Sequence, residues 1–370
     1  MQQFIGNRIV GSIGSLLIGI LVFIGSFVLL YIGEMRTDYS DIAKKAVEVS
    51  SAKEGDFVHL TGEIKSQKPL GDGLYLKEND YIAVERIVEM YAWTEDSDTT
   101  SNDMTIYNYT QEWTQDPQNS SSFDTEFGHE NPLMVNKSER MHADKAMIGE
   151  YQVYMDKVRL PGYEELKIDE NKVRLGNYET LDTLDGKTYI YDGYGTLAEP
   201  ETGSIRISYN VIPSGKKVTV FGKVEGKEFS YHSGEKEKEL YRMFYGTKDD
   251  ALGELKGEYS MWGWIYKILG FIVMWIGLSM ILSPLSTVLE IVPIIGGMGK
   301  AALGAVTFIA AVILTFLTSF ILSVLHSPVG LIMIVLIVLA IGYFVNNMKK
   351  SKPSAAGPGA NNGDTTTINK

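Results

Sequence analysis

The sequence predicts a membrane α-helical protein with four transmembrane helices, one N-terminal and three C-terminal, around a large inserted α+β extracytoplasmic domain rich in antiparallel strands. Three observations predict it. Four charge-free apolar runs sit at the two ends of the 370-residue chain. The middle is polar and acidic and carries the period-two alternation of half-buried strands. Both outer flanks of the apolar runs are basic. The resulting division is 1–33 for the N-terminal flank and first helix, 34–260 for the acidic domain, 261–348 for three further helices, and 349–370 for a basic flank and disordered tail.

Ile9–Gly33 is 25 residues without a charge, between Arg8 and Glu34. At 1.5 Å per residue that exceeds the roughly 30 Å hydrocarbon core of a bilayer. It is also much longer than the ~7–15 apolar residues of a signal peptide, and no A-x-A site follows, so it reads as an uncleaved anchor. Gly11, Ser15 and Gly19 recur every fourth residue along it, a stripe on which another helix can approach closely. The later runs are 268–289, 301–325 and 329–345. Ala311, Thr315, Ser319 and Ser323 repeat the small-residue spacing in the third. None of the spans holds an ionisable group at depth, which argues against a pump or proton relay. The stripes are read as packing faces, within one chain or between copies, and a homo-oligomer is expected.

The domain between these runs holds 27 basic and 44 acidic residues, a net charge of −17. Such a surface repels nucleic acid, which is excluded as a partner. With no cysteine in the chain, disulfides and thiol catalysis are excluded, and the domain must be held by its core. A helix is expected around Ile42–Val49. Val58–Ile64 alternates as a strand, and Val218–Val224 repeats its V-x-aliphatic-x-G-x-aliphatic pattern, which suggests two equivalent strands of a curved sheet or small barrel. Further strands are expected at Ile82–Trp93, Thr105–Trp113, Lys187–Asp192, Ser204–Ile212 and Lys227–His232. Ile148, Tyr151, Met155 and Val158 recur at helical spacing, with Pro161-Gly162 as a stop. Leu252, Leu255, Tyr259 and Trp262 do so again. Trp262, Trp264 and Tyr266 then stand at the mouth of the second span, where amphipathic aromatics meet the headgroups. Glu290–Gly299 and His326-Ser327-Pro328 read as turns between spans, and Ser351–Lys370 as a disordered tail.

Lys and Arg in short flanks favour the cytoplasm. Arg8 at one end and Lys349, Lys350 and Lys352 at the other therefore put both termini there and the domain outside. The compartment is the cell membrane for a bacterial source, and the endoplasmic reticulum or inner nuclear membrane for a eukaryotic one. The missing cysteine leans toward a prokaryote. The five histidines have no zinc-type spacing, and neither a nucleophile elbow nor a phosphate loop is present. No catalytic, cofactor-binding or metal residue is nominated, and no enzyme activity or cofactor is expected. Gly71-Asp72-Gly73 reads as a turn.

Val88-Glu89-Met90-Tyr91-Ala92-Trp93, then Tyr109-Thr110-Gln111-Glu112-Trp113, then Phe123 and Gly128-His129-Glu130-Asn131-Pro132 form a distinctive ordered set. Gly203-Ser204-Ile205-Arg206-Ile207-Ser208-Tyr209 follows later. In this order the blocks resemble the transmembrane protein 43 (LUMA) family, whose layout of one N-terminal span, a large domain and three C-terminal spans is similar. The resemblance implies a scaffold of internal membranes that self-associates and engages protein partners. It carries no catalytic residues. Its signature positions here are Glu89, Tyr91, Trp93, Trp113, Gly128, His129, Asn131 and Pro132, with Trp93 and Trp113 expected in the core and Gly128–Pro132 as a fixed turn. The function expected is a membrane-organising scaffold that binds the bilayer and unidentified protein or lipid partners. The alternative is an envelope enzyme or lipid-handling protein with a pocket at the domain–bilayer junction, for which His129, Glu130 and Asn131 are the candidate lining.

Overall fold

The computed structural model describes residues 2–100, 103–234, 236–284, 296–326 and 332, with side chains described from Gly14 onward and, after 296, over 302–325 and 332. The chain forms two compact units, Met1–Thr37 with Tyr259–Lys370, and Asp38–Glu258. In chain order the elements begin with α1 (Gln2–Glu34), α2 (Tyr39–Ala43), β1 (Val47–Glu48), β2 (Val58–Ser66), β3 (Tyr81–Thr99), β4 (Thr105–Thr114), β5 (Glu139–His142), β6 (Lys145–Ile148) and β7 (Tyr151–Tyr154). They continue with β8 (Glu164–Glu165), β9 (Thr180–Leu184), β10 (Lys187–Asp192), β11 (Ile205–Pro213), β12 (Lys217–Glu225), β13 (Glu228–Ser230), β14 (Met243–Tyr245), α3 (Lys248–Ile281) and α4 (Gly296–His326).

The second unit is β-rich and is built from two sheets. In the first, β2 pairs with β6, β6 with β7, β7 with β13, β13 with β12, and β12 returns to β2, which closes a five-stranded barrel. Numbered along the chain, the ring runs one-two-three-five-four, with the third and fifth strands parallel. That is the connectivity of five-stranded Greek-key barrels of the OB type. The two V-x-aliphatic-x-G strands pair directly with each other, Val58 opposite Gly222 and Gly62 opposite Val218. Past each glycine the strand changes partner, β2 to β6 and β12 to β13. The glycines sit where a Cβ would meet Ile148 from Gly62 or the Phe229 ring from Gly222. Alternate residues Val58, Leu60, Ile64, Val218 and Val220 fill the barrel with Ile148, Val153 and Phe229.

The second sheet runs β4-β3-β11-β10-β9, with β5 and β8 added on β3 and β11. Its nineteen-residue strand β3 begins in the barrel core with Ile82 and Ala83 and then turns Val84, Val88, Met90 and Ala92 into a second core with Ile190, Ile207, Tyr209 and Val211. This core is closed by Asp72, a buried carboxylate in the Gly71-Asp72-Gly73 turn. One of its oxygens accepts the N–H groups of Leu74, Tyr75 and Leu76 at 2.8–2.9 Å. The other pairs with Arg86 at 3.2 Å and accepts the Tyr209 hydroxyl at 2.6 Å. Burial and the neighbouring Asp72 charge push the Tyr209 hydroxyl far above its ordinary value, so it stays a donor.

The helix expected over Ile148–Val158 is a hairpin. β6 and β7 are joined by Gly149-Glu150, with Gly149 at φ +59°. A two-residue turn needs that left-handed backbone. It also shifts the phase of the apolar positions, so inward residues of two strands fall at spacings that mimic a helix. The helix expected over Ile42–Val49 is only the five-residue α2, because Val47 leaves it to pair in parallel with Val58.

The first unit contains three described helices long and apolar enough to cross a membrane. Apart from Ile332, the fourth expected run, Val329–Val345, lies outside the described residues, as do 290–295, Ser327-Pro328 and 351–370. Gly296–Gly299, expected in a turn, form the first turn of α4. In apolar surroundings the helix is the backbone's own source of hydrogen-bond partners. α1 and α3 run antiparallel at very short range. A Cβ on Gly19 would lie 2.7 Å from the Met280 Cβ, on Gly277 2.6 Å from the Phe23 N, on Gly270 2.5 Å from Leu30 Cδ2, and on Gly33 2.6 Å from the Tyr266 Cβ. Gly19, buried Ser26 and Gly33 are seven residues apart, as are Gly263, Gly270 and Gly277. A seven-residue period keeps one face toward its partner along the whole contact.

Candidate functional site

The signature blocks assemble on one face of the second sheet. β3 alternates, so its even positions Val88, Met90 and Ala92 enter the core while Glu89, Tyr91, Trp93 and Glu95 point the other way. β4 is registered so that Trp113 stands opposite Tyr91, Gln111 opposite Trp93 and Tyr109 opposite Glu95. On the other side Arg206 of β11 stands opposite Glu89. The spaced pattern E-x-Y-x-W and Y-x-Q-x-W is therefore one face of two neighbouring strands.

Two clusters make up this ladder. In the first, the Arg206 guanidinium bonds Glu89 twice, at 2.8 and 2.9 Å. It also lies 4.6 Å from the Trp113 ring centre and 5.0 Å from that of Tyr189, between two aromatic faces. Tyr91 packs on Trp113 at 5.4 Å. In the second, His129 stacks on Tyr109 at 3.9 Å and meets Trp93 edge-on at 4.7 Å. The Tyr109 hydroxyl donates to Glu95 at 2.6 Å, and burial together with this carboxylate raises its pKa. Trp93 and Trp113 are half-buried in these clusters and not in the core, which corrects the expectation.

Asn131 acts as a strand partner for β3. Its amide oxygen accepts the Trp93 N–H at 2.8 Å, and its amide nitrogen donates to the carbonyls of Trp93 at 2.8 Å and Gln118 at 3.0 Å. Pro132 rests where a Cβ on Gly203 would be, 2.6 Å away. The Ser138 hydroxyl accepts the Val88 N–H at 3.0 Å. The β4–β5 loop is thus pinned to β3 from Gln118 to Ser138. Gly128, at φ +86°, turns the chain so that its N–H reaches the Glu130 carboxylate, and that bond lowers the Glu130 pKa. His129 Nδ1 lies 3.0 Å from the Thr125 carbonyl. Glu130 and His129 therefore face separate local partners and do not converge on one point. Among the described residues no three His, Cys, Asp or Glu side chains gather as a metal set.

The pinned loop leaves three large apolar side chains in solvent: Phe127 and Leu133 are 90% exposed and Val135 83%. Met134 between the last two is buried.

In the membrane unit, Gly19 is buried against α3 and Ser15 is half-buried, while Gly11 lies among residues whose side chains are not described. Ala311, Thr315 and Ser319 are all buried on one face of α4. Ala311 packs with Leu30 and Met274, and the Thr315 hydroxyl points at Met274 Sδ, 3.6 Å away. Trp262 and Trp264 are exposed, and Tyr266 is half-buried under the Arg36 guanidinium. Sequence reasoning missed Arg206, Glu95 and Tyr189, and the glycines Gly33, Gly270 and Gly277. Strand pairing finds the first three; the seven-residue glycine period was the available signal for the others.

Fold and site together define a membrane protein with several apolar helices and one large β-rich domain whose outward ladder pins a long loop. The sequence profile of the transmembrane protein 43 family matches residues 90–328. The chain belongs to that family. It is 26% identical to transmembrane protein 43 of Mus musculus and to that of Homo sapiens, in each case over 84% of this chain and 84% of the relative. A transmembrane protein 43 homolog of Drosophila melanogaster is 26% identical over 57% of this chain and 61% of its own. No solved structure matches the chain.

Proposed function

We propose that the protein is a membrane scaffold whose β-rich domain docks a protein partner on the pinned β4–β5 loop, while its helices associate with further copies. The observation that carries the reading is the pairing of rigidity with exposure. Asn131, Ser138 and Pro132 hold the loop, yet Phe127, Leu133 and Val135 stand in solvent. Exposed apolar groups on a fixed frame bind with little ordering cost. Two basic flanks support cytoplasmic termini and an extracytoplasmic domain. The domain's net charge of −17 favours a partner with a basic rim around an apolar pocket.

The test is photo-cross-linking in native membranes from positions 127, 133 and 135. The expected result is a defined adduct from each position that disappears in the variant with serine at the other two positions while the melting temperature holds. Adducts that persist in that variant, or none at all from a folded protein, would refute the docking role.

A further inference from the structure

Within the membrane unit, α3 and α4 enclose an apolar groove of about 500 Å³, in the range of roughly 300–1,000 Å³ usual for small-ligand sites. Ile268, Phe271, Phe308, Val312, Phe316 and Phe320 wall it. One end is charged. Glu34 and Lys267, which terminate the uncharged runs of their helices, pair there at 3.1 Å beside Trp264. Ala311 packs with Met274, and Thr307 reaches Trp275 and Ser279, so α4 runs antiparallel to α3 and carries Ser319 and Ser323 toward that end. Ser319 lines the groove, is only 8% exposed, and its hydroxyl has no hydrogen-bond partner. A buried hydroxyl without a partner in an apolar wall is costly, and a ligand acceptor removes that cost.

We propose that the groove is a binding site for a zwitterionic glycerophospholipid of the phosphoethanolamine class. One acyl chain lies along the phenylalanine wall, Lys267 takes the phosphate, Glu34 takes the ammonium, and Ser319 donates to an ester or phosphate oxygen. The argument is charge complementarity. A mouth with one cation and one anion in contact matches a headgroup that carries both, and an anionic headgroup would leave Glu34 opposed to like charge. Trp264 beside the pair sets the mouth at headgroup depth.

The experiment uses the full chain in nanodiscs with photoactivatable phosphatidylethanolamine or phosphatidylglycerol, and cross-links are mapped by mass spectrometry. The ethanolamine lipid should label 308–323 in preference to the glycerol lipid. E34Q/K267Q should lower that labelling about tenfold, the size expected when charge-assisted contacts are lost. Ser319→Ala, which keeps the packing, should lower it by a smaller factor and covers the case in which the double variant does not fold. Equal labelling by the two lipids, or labelling unchanged in Ser319→Ala, overturns the proposal. So do cross-links that join the groove to residues 329–345 or to a second copy.

Discussion

The β-rich unit fills its interior with bulky side chains, among them Phe229, Tyr209 and Ile148, whereas α1 and α3 of the membrane unit meet on Gly19, Gly33, Gly270 and Gly277. The solvent explains the contrast. Removing apolar surface from water drives the first, at about 25 cal/mol per Å². A lipid tail is as apolar as leucine, so the helices gain little by burying large residues against each other. They gain from close backbones, which the absence of Cβ permits. Polar groups follow the same division. The β unit buries the charge pair of Asp72 with Arg86 and satisfies the carboxylate with three backbone N–H groups and a tyrosine. The membrane unit puts its ion pair at the end of the spans.

The comparison breaks first at Asp72. Arg86→Met leaves a carboxylate buried without its cation, and the expected cost is about 3–5 kcal/mol. Thermal unfolding of the full chain followed by near-UV circular dichroism reads it; a loss under about 1 kcal/mol, the worth of an exposed pair, would mean that water reaches the pair. Next comes Gly277→Leu, which drives a side chain into the Phe23 backbone and should destabilise the helix pair by about 1–3 kcal/mol. Gly25→Leu is the control, since nothing lies within 4 Å of its Cβ position. If both leucines are equally tolerated in a denaturing-detergent titration, close backbone contact does not hold α1 to α3. Third is Asn131→Ala. It removes the two bonds to the Trp93 backbone, and hydrogen exchange at Trp93 and across the loop should quicken by an opening energy of roughly 1–2 kcal/mol. Exchange in the barrel should not change.

Much of this was legible in the chain. Strict alternation marked β2, β11 and β12, and the repeated V-x-aliphatic-x-G pattern gave a pair of strands that the structure joins edge to edge. The short strands β5, β8 and β14 were not legible, because they have two to four residues and take their pairing from distant partners. Hairpin β6–β7 was misread because one turn rephased its apolar positions. At the ladder, sequence supplied the aromatic positions but not Arg206 as their centre. That role depends on the β3–β11 register, which brings together residues more than a hundred apart. In the membrane unit a four-residue stripe drew attention, while the contact follows a period of seven.

The smallest expected effect sharpens the contrast from the side of exposed charge. Glu85, on the ladder face of β3, is partly buried, which by itself raises its pKa; bonds from Asn210 at 2.8 Å and from Arg140 outweigh this and hold it below the ordinary 4.5. Arg140 is moved up by the same bond, so the two partners agree. A carboxylate lowered in the folded state stabilises above its unfolded value and loses that contribution as pH falls through the folded one. Stability should therefore drop as pH falls below 4.5, and Glu85→Gln should flatten that part of the profile. With Arg140 largely in solvent the amount is small, about 0.2–1 kcal/mol at neutral pH. Urea unfolding of wild type and Glu85→Gln between neutral and acid pH measures it. Parallel profiles would mean that solvent screens the pair fully.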